Sequence, residues 1–177
     1  MQLREDNQVI VGNISYYLSQ DGTLYYIFHF IDYYTLELKG LIGNKNMDGV
    51  YAERCLRQVF AYNNKSKYDN AMIFHTDAGG QYRSHNFQAI LRKAQVRPSH
   101  AENCFENGLS ERENGIIKNE YLIDYYINSV NHLNRVLNKI KFQVNEVWPS
   151  KKLGYRTPKQ YADWIQSMEI NKRPIKT

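Results

Sequence analysis

The segment His75-Thr76-Asp77-Ala78-Gly79-Gly80-Gln81-Tyr82 places a carboxylate and a glycine pair directly after the apolar run Ala71-Met72-Ile73-Phe74. This pattern predicts that Asp77 sits where a buried strand ends and a loop begins, the position at which open α/β sheets carry their chemistry. A carboxylate there can face a cleft and hold a hard cation, and glycines let the backbone turn sharply beside a bulky substrate. Alone, an Asp-Ala-Gly-Gly run is also a common turn. Its chemistry depends on what the rest of the chain brings to it.

The chain has 177 residues, enough for one domain with a sizeable core. Lys and Arg number 23 against 18 Asp and Glu, giving a net charge of +5 and a pI near 9.1. This modest excess suits a polyanionic partner where the basic residues cluster. Cys55 and Cys104 stand far apart without metal-ligand spacing, which predicts reduced thiols and a cytoplasmic setting. The start Met1-Gln2-Leu3-Arg4-Glu5-Asp6 is charged and no apolar run reaches membrane-span length, so neither an export signal nor an anchor is expected.

The elements that position Asp77 are legible as patterns. Val9 to Leu18 reads as a first strand, and Gln20-Asp21-Gly22-Thr23 carries the Asp-Gly signal of a tight hairpin into a second strand, Leu24 to Ile31. Thr35-Leu36-Glu37-Leu38-Lys39-Gly40 alternates like a third. Ala52, Cys55, Leu56, Val59 and Phe60 recur at helical spacing, as do Phe87, Ile90, Leu91 and Ala94. The polar run Asn63 to Asn70 reads as a surface loop, Ala71 to Thr76 as the buried strand, and a short extended piece surrounds Val96 and Pro98. Helices are then expected from Glu106 to about Leu122 and across Leu133, Val136, Leu137, Ile140 and Val144. Thr157-Pro158 is the N-cap and first turn of a last helix whose apolar face is Tyr161, Trp164, Ile165 and Met168. An antiparallel hairpin set followed by strand and helix units predicts a mixed α/β sheet with helices on its faces.

The stretch Asn103-Cys104-Phe105-Glu106-Asn107-Gly108-Leu109-Ser110-Glu111-Arg112, with Ile116-Ile117-Lys118-Asn119-Glu120-Tyr121-Leu122 after it, resembles the last catalytic motif of bacterial insertion-sequence transposases. These carry a retroviral-integrase-type catalytic core of the DDE superfamily. Three more stretches match in the same order: Asn13-Ile14-Ser15-Tyr16, the His75 to Tyr82 segment, and Leu153-Gly154-Tyr155-Arg156-Thr157-Pro158. The resemblance implies a ribonuclease-H-like mixed sheet, three antiparallel strands then parallel strands, with helices on both faces. Residues 1–127 would be the integrase-type catalytic core and 128–177 a C-terminal helical extension of the same domain. It also implies DNA as substrate, and two aspartates and a glutamate holding a pair of Mg2+ or Mn2+ ions. Phosphodiester attack by water or a 3′-hydroxyl needs one cation to activate the nucleophile and another to stabilise the leaving oxygen.

By resemblance, Asp77 matches the second carboxylate and Glu111 the third. Glu113 is a rival for the third place, since relatives space the last two carboxylates slightly further apart. At roughly 100° per residue, Glu113 shares a helix side with Leu109, Ile116 and Ile117, whereas Glu111 shares one with Asn114 and Lys118. The apolar side is for packing, which favours Glu111 and makes Asn114 and Lys118 candidate DNA contacts. The first motif departs from the family: Asn13 stands where an aspartate is usual. An amide oxygen can ligate a cation but brings no charge, so turnover is expected to fall by on the order of several powers of ten. Asn13 fits natural inactivation and an engineered trap equally. Asp21 is committed to the hairpin and Asp32 belongs toward the other end of the sheet, so neither replaces the missing charge.

Lys151, Lys152 and Arg156 flank the last matched stretch and are candidate contacts to DNA phosphate. His75, His85 and His100 lack the paired spacing of a zinc site. The tyrosine pairs Tyr16-Tyr17, Tyr25-Tyr26 and Tyr33-Tyr34 read as sheet packing before base stacking. The resemblance implies a homo-oligomer on DNA ends, and because the chain begins close to the first core strand, recognition of those ends is expected to come from a separate DNA-recognition polypeptide or a removed segment. The competing expectation is a catalytically inactive DNA-binding or assembly module that keeps the fold. A ribonuclease acting on hybrid duplexes is a third reading and would need contacts to the RNA 2′-hydroxyl.

Overall fold

The computed structural model describes residues 2–64, 67–68, 71–77, 79–100, 122 and 124–176. Its centre is a five-stranded sheet in the order β3-β2-β1-β4-β5, formed by β1 (Val9–Leu18), β2 (Leu24–Asp32), β3 (Leu38–Asn44), β4 (Ile73–Thr76) and β5 (Arg97–His100). β1, β2 and β3 pair antiparallel, while β4 runs parallel to β1 and β5 parallel to β4. The mixed ribonuclease-H-like sheet expected from the sequence is therefore present.

The first hairpin forms as the Asp-Gly signal predicts. The Asp21 carboxylate accepts the Thr23 N–H at 2.9 Å and the Ser19 hydroxyl at 2.5 Å, and Gly22 takes φ +80. This turn fixes the β1–β2 register, pairing Leu18 with Leu24, Asn13 with His29 and Ile10 with Asp32. The third strand starts later than the alternation suggests. The Asp32 carboxylate captures the Tyr34 and Thr35 amides at 2.9 and 2.8 Å, and Leu36 adopts φ +61. Residues 33–36 are thus a turn, and β3 begins only at Leu38. A side chain that satisfies successive backbone donors offers the chain an alternative to the ladder.

Helix α1 (Gly49–Tyr62) buries Ala52, Cys55, Leu56 and Val59, the stripe read from the sequence. Two short helices, α2 (Gly80–Arg83) and α3 (His85–Lys93), follow β4, and the Ser84 hydroxyl caps α3 by accepting the Phe87 amide at 3.2 Å. These three helices cover one face of the sheet around Ile10, Phe28, Phe30 and Phe74. Helix α4 (Val130–Phe142) covers the other face, packing Leu133, Val136, Leu137 and Ile140 on Tyr25, Ile27, Ile31, Leu38 and Leu41. It continues through a π-turn, Gln143–Val147. Gly43 is required here, because a Cβ would strike the Leu133 side chain. Helices on both faces agree with the sequence reading.

The last helix, α5 (Pro158–Gln166), opens with a reciprocal capping box between Thr157 and Gln160. Tyr161 and Ile165 join Leu3, Tyr34, Leu36 and Leu153 in a third cluster, with Val9 and Tyr33 packed against it. This cluster closes the end of the sheet where β1 begins. Among the described residues no helix is long and apolar enough to cross a membrane.

Candidate metal centre at the end of the central strands

The parallel pairing of β1 and β4 aligns Val9 with Ile73 and Gly12 with Thr76. The next residue on each strand is Asn13 on β1 and Asp77 after β4, so these two predicted site residues are neighbours at the sheet's end. The close approach depends on Gly12: a Cβ there would lie 2.7 Å from the Phe30 ring and 3.1 Å from Thr76 Cγ2. Phe30 belongs to a cluster of edge-on and tilted aromatic rings, with ring centroids 4.8 Å from Phe74 and 6.3 Å from Tyr82. Phe87 closes the cluster, edge-on at 5.7 Å from Phe74 and 5.5 Å from Tyr82. Tyr82 anchors α2 and so fixes the loop that carries Asp77. Its phenol is pushed well above the ordinary range, by burial first and by the Asp77 carboxylate second.

Asp77 is exposed and accepts the Gly79 N–H on Oδ1 at 3.0 Å. The sequence assigns Gly79 to backbone freedom, but its φ is −56, which any residue adopts. The glycine instead leaves room for its neighbours: a Cβ would sit 2.9 Å from Asp77 Oδ1 and 3.0 Å from Gln81 Oε1, so these two side chains would have to shift. Asn13 is half-buried, and its Oδ1 accepts the Ile14 N–H at 2.7 Å. The amide oxygen is therefore turned onto its own backbone.

One further residue of this end, His29, was missing from the sequence reading. His29, fully buried, pairs with Asn13 across the hairpin, and Ser15 is buried two residues along β1. The signal was available: once the hairpin pairs Leu18 with Leu24, counting back along both strands brings His29 opposite Asn13. His75 Nδ1 lies 3.1 Å from Ser99 Oγ, and His100 Nδ1 lies 3.2 Å from Thr76 Oγ1, tying β4 to β5.

Glu111, its rival Glu113, Asn114, Lys118 and most of the helix expected from Glu106 to Leu122 lie outside the described residues. The described donors are thus one carboxylate and one amide, an all-oxygen pair that fits a hard cation such as magnesium. Among the described residues no three His, Cys, Asp or Glu side chains gather to hold a metal. Asp32 pairs with Ile10, three rows from Asn13, about 10 Å along the strand. It sits instead in a buried ionic cluster, with Lys39 Nζ 3.6 Å from Asp32, 3.7 Å from Glu37 and 3.9 Å from Asp6.

Lys151, Lys152 and Arg156 are not gathered with Asn13 and Asp77. Lys151 and Lys152 are exposed beside Leu153, which is buried in the cluster at the other end of β1. The Arg156 guanidinium lies 4.4 Å from the Trp164 ring, a cation–π contact that occupies its face.

This architecture is that of retroviral integrase catalytic cores. The simian T-cell lymphotropic virus intasome in complex with PP2A regulatory subunit B56 gamma contains a chain of the same fold, with a TM-score of 0.76 at 21% identity over 98% of this chain and 59% of that one. The HTLV-2 integrase catalytic core domain in complex with magnesium, trimeric form, matches with a TM-score of 0.69 at 20% identity, covering 89% of this chain and 97% of that one. Residues 4–103, more than half of the chain, match the integrase core domain, and the chain belongs to that family. It is 26% identical over 161 residues to the transposase for insertion sequence element IS904 of Lactococcus lactis subsp. lactis (strain IL1403), covering 89% of this chain and 62% of the relative. It is also 26% identical over 165 residues to the insertion element IS600 uncharacterized 31 kDa protein of Shigella sonnei, covering 92% and 59%. The chain spans about three-fifths of the length of these curated relatives.

Proposed function

We propose that the chain is a transposase catalytic core that acts on DNA by phosphodiester cleavage and strand transfer, with a first metal ligand weakened by Asn13. The observation that supports this most is the register Gly12↔Thr76, which sets Asn13 beside Asp77 at the end of the central parallel strands. Bound Mg2+ or Mn2+ ions would activate the attacking hydroxyl and stabilise the leaving oxygen. Asp77 would hold a cation through the oxygen that does not accept the Gly79 amide, with Glu111 as the second charged ligand and Asn13 as a neutral donor. Asn114 and Lys118 would position the DNA backbone beside them. Multimers on paired DNA ends suit this reading, since the structural relatives bear the descriptions intasome, trimeric form and dimeric form.

A second reading is an inactive DNA-binding or assembly module. The bond from the Ile14 amide to Asn13 Oδ1 favours it, because that bond already engages one of the two lone pairs of an uncharged oxygen. Manganese-dependent cleavage and strand transfer on supercoiled plasmid separates the two. The transposase reading expects activity in Asn13→Asp that exceeds the parent and vanishes when Asp77→Ala is added. Equal activity in the parent and Asn13→Asp would remove Asn13 from the ligand set.

A further inference from the structure

The loop between the π-turn and α5 is built as a rigid presentation surface. Ser150 and Arg156 bridge antiparallel, and the Leu153 and Tyr155 amides both donate to the Ser150 carbonyl, at 3.0 and 2.9 Å. Leu153, only 1% exposed, anchors the loop in the third cluster. Its tip points outward. Tyr155 is 72% exposed, and it adopts φ +60 directly after Gly154 at φ +64.

A bulky side chain in the left-handed region costs stability that glycine or asparagine would not. The Tyr155 ring, being exposed, recovers little of that cost by packing. Strain held at an exposed aromatic marks a surface with another use. Lys151 and Lys152 beside it are exposed and make no ion pair among the described residues. No Asp or Glu occurs from Val147 to Ala162, and Asp163 and Glu169 are paired with Lys159 at 2.7 Å and Lys172 at 3.0 Å. Residues 128–177 hold ten Lys and Arg against three Asp and Glu, whereas residues 1–127 hold thirteen against fifteen. The chain's whole positive excess therefore lies in its last segment.

From the exposed Tyr155 ring, the neighbouring lysines and their place away from Asp77, we infer that this loop is a separate single-stranded DNA contact. Lys151 and Lys152 hold phosphates and Tyr155 stacks on an unpaired base. The loop's anchor packs with Val9, and Asn13 lies about 13 Å further along β1, so the contact lies at the sheet's other end from the candidate metal centre. Basic residues with an exposed aromatic are the recurring means of gripping a single strand without reading its sequence. The choice of DNA as ligand rests on the proposed function, but the contact needs neither Asp77 nor metal.

The test is anisotropy of the whole chain with a labelled thymidine 20-mer in chelator, over a salt series. Tyr155→Asn tolerates the left-handed backbone and removes the ring, so thermal stability should hold while affinity falls about five- to 150-fold. Tyr155→Phe should bind like the parent. The pair Lys151→Ala, Lys152→Ala should flatten the slope of log K against log salt by about 1.4. The exposed pair Arg92→Ala, Lys93→Ala on α3 serves as the control. Parent-like affinity in Tyr155→Asn overturns the inference, as does an equal loss in the α3 control. Because chelator suppresses metal chemistry, either result is independent of the plasmid cleavage assay.

Discussion

Replacing Asn13 by aspartate should make the stability of this fold depend on metal. Position 13 and Asp77 follow the last paired row of two parallel strands, and neighbouring strands lie about 4.8 Å apart. Two carboxylates about 5 Å apart repel by about 3 kcal/mol at an effective dielectric of 20 and by about 1 kcal/mol in bulk water. Asp77 is exposed, which places the penalty near the lower figure, about 1–2 kcal/mol. For a domain of this size that lowers the melting temperature by about 2–8 °C. A divalent cation reverses the sign, because the pair that repels when empty becomes the stronger ligand set. At a hundred times its dissociation constant the ion returns about 2.7 kcal/mol. Differential scanning fluorimetry should therefore find Asn13→Asp melting below the parent in EDTA and above it in manganese. Adding Asp77→Asn should abolish both differences. An Asn13→Asp melting shift that is the same in EDTA and manganese, or that survives Asp77→Asn, refutes the adjacency on which the site rests.

Gly79→Ala should fold normally, since φ −56 suits alanine, yet its Cβ would press on Asp77 Oδ1 from 2.9 Å; manganese affinity by titration calorimetry should drop about ten-fold, the scale of a disturbed outer-shell contact. Lys39→Met strands the buried Asp32 and Glu37 carboxylates that now lie 3.6 and 3.7 Å from the ammonium, and should cost about 3–5 kcal/mol, measured as a lower denaturation midpoint. Burial holds the Asp6 and Glu37 carboxyls above their ordinary range, against the pull of Lys39. The folded chain then keeps protons that the unfolded chain has released, so the stability from these two groups is full below ordinary carboxylate values and is lost as pH rises through the raised ones. Glu37→Gln keeps an oxygen for the Tyr62 hydroxyl, now 2.8 Å away, and should therefore be neutral or stabilising at pH 7, with the difference shrinking on acidification in thermal melts.

The parts of the fold legible in the sequence were those decided locally. Asp21-Gly22 announces the hairpin because the turn needs a positive φ and a local acceptor, and Thr157-Pro158 announces α5 for equally local reasons. The start of β3 was misjudged because Thr35 to Gly40 alternates correctly, while the Asp32 side chain takes the first amides out of the ladder. The role of Gly79 was hidden for a different reason. Its φ is ordinary, and only the finished loop brings Asp77 Oδ1 into the space a side chain would need. Asp77 itself was legible as a strand-end carboxylate, but its neighbour Asn13 required the parallel crossover from β1 to β4, a non-local pairing. The separation of Lys151 and Lys152 from that end depends on where the chain returns after α4, and no pattern in the loop encodes it.

The packing around Gly12 bears on why an amide is tolerated at position 13. The approach of β1 to β4 is set by the Phe30 ring and Thr76 filling the space a side chain at position 12 would take. Nothing in that contact depends on the charge at position 13, whose side chain is held by the neighbouring Ile14 amide. A slip of one residue would turn position 13 to the other face, and the aromatic cluster of Phe30, Phe74, Tyr82 and Phe87 opposes such a slip without help from a metal. The fold thus keeps positions 13 and 77 adjacent independently of the side-chain chemistry at position 13. For that reason aspartate can be placed at position 13 without other changes, and the response of that one variant to metal reads the chemistry of the proposed site rather than the integrity of the fold.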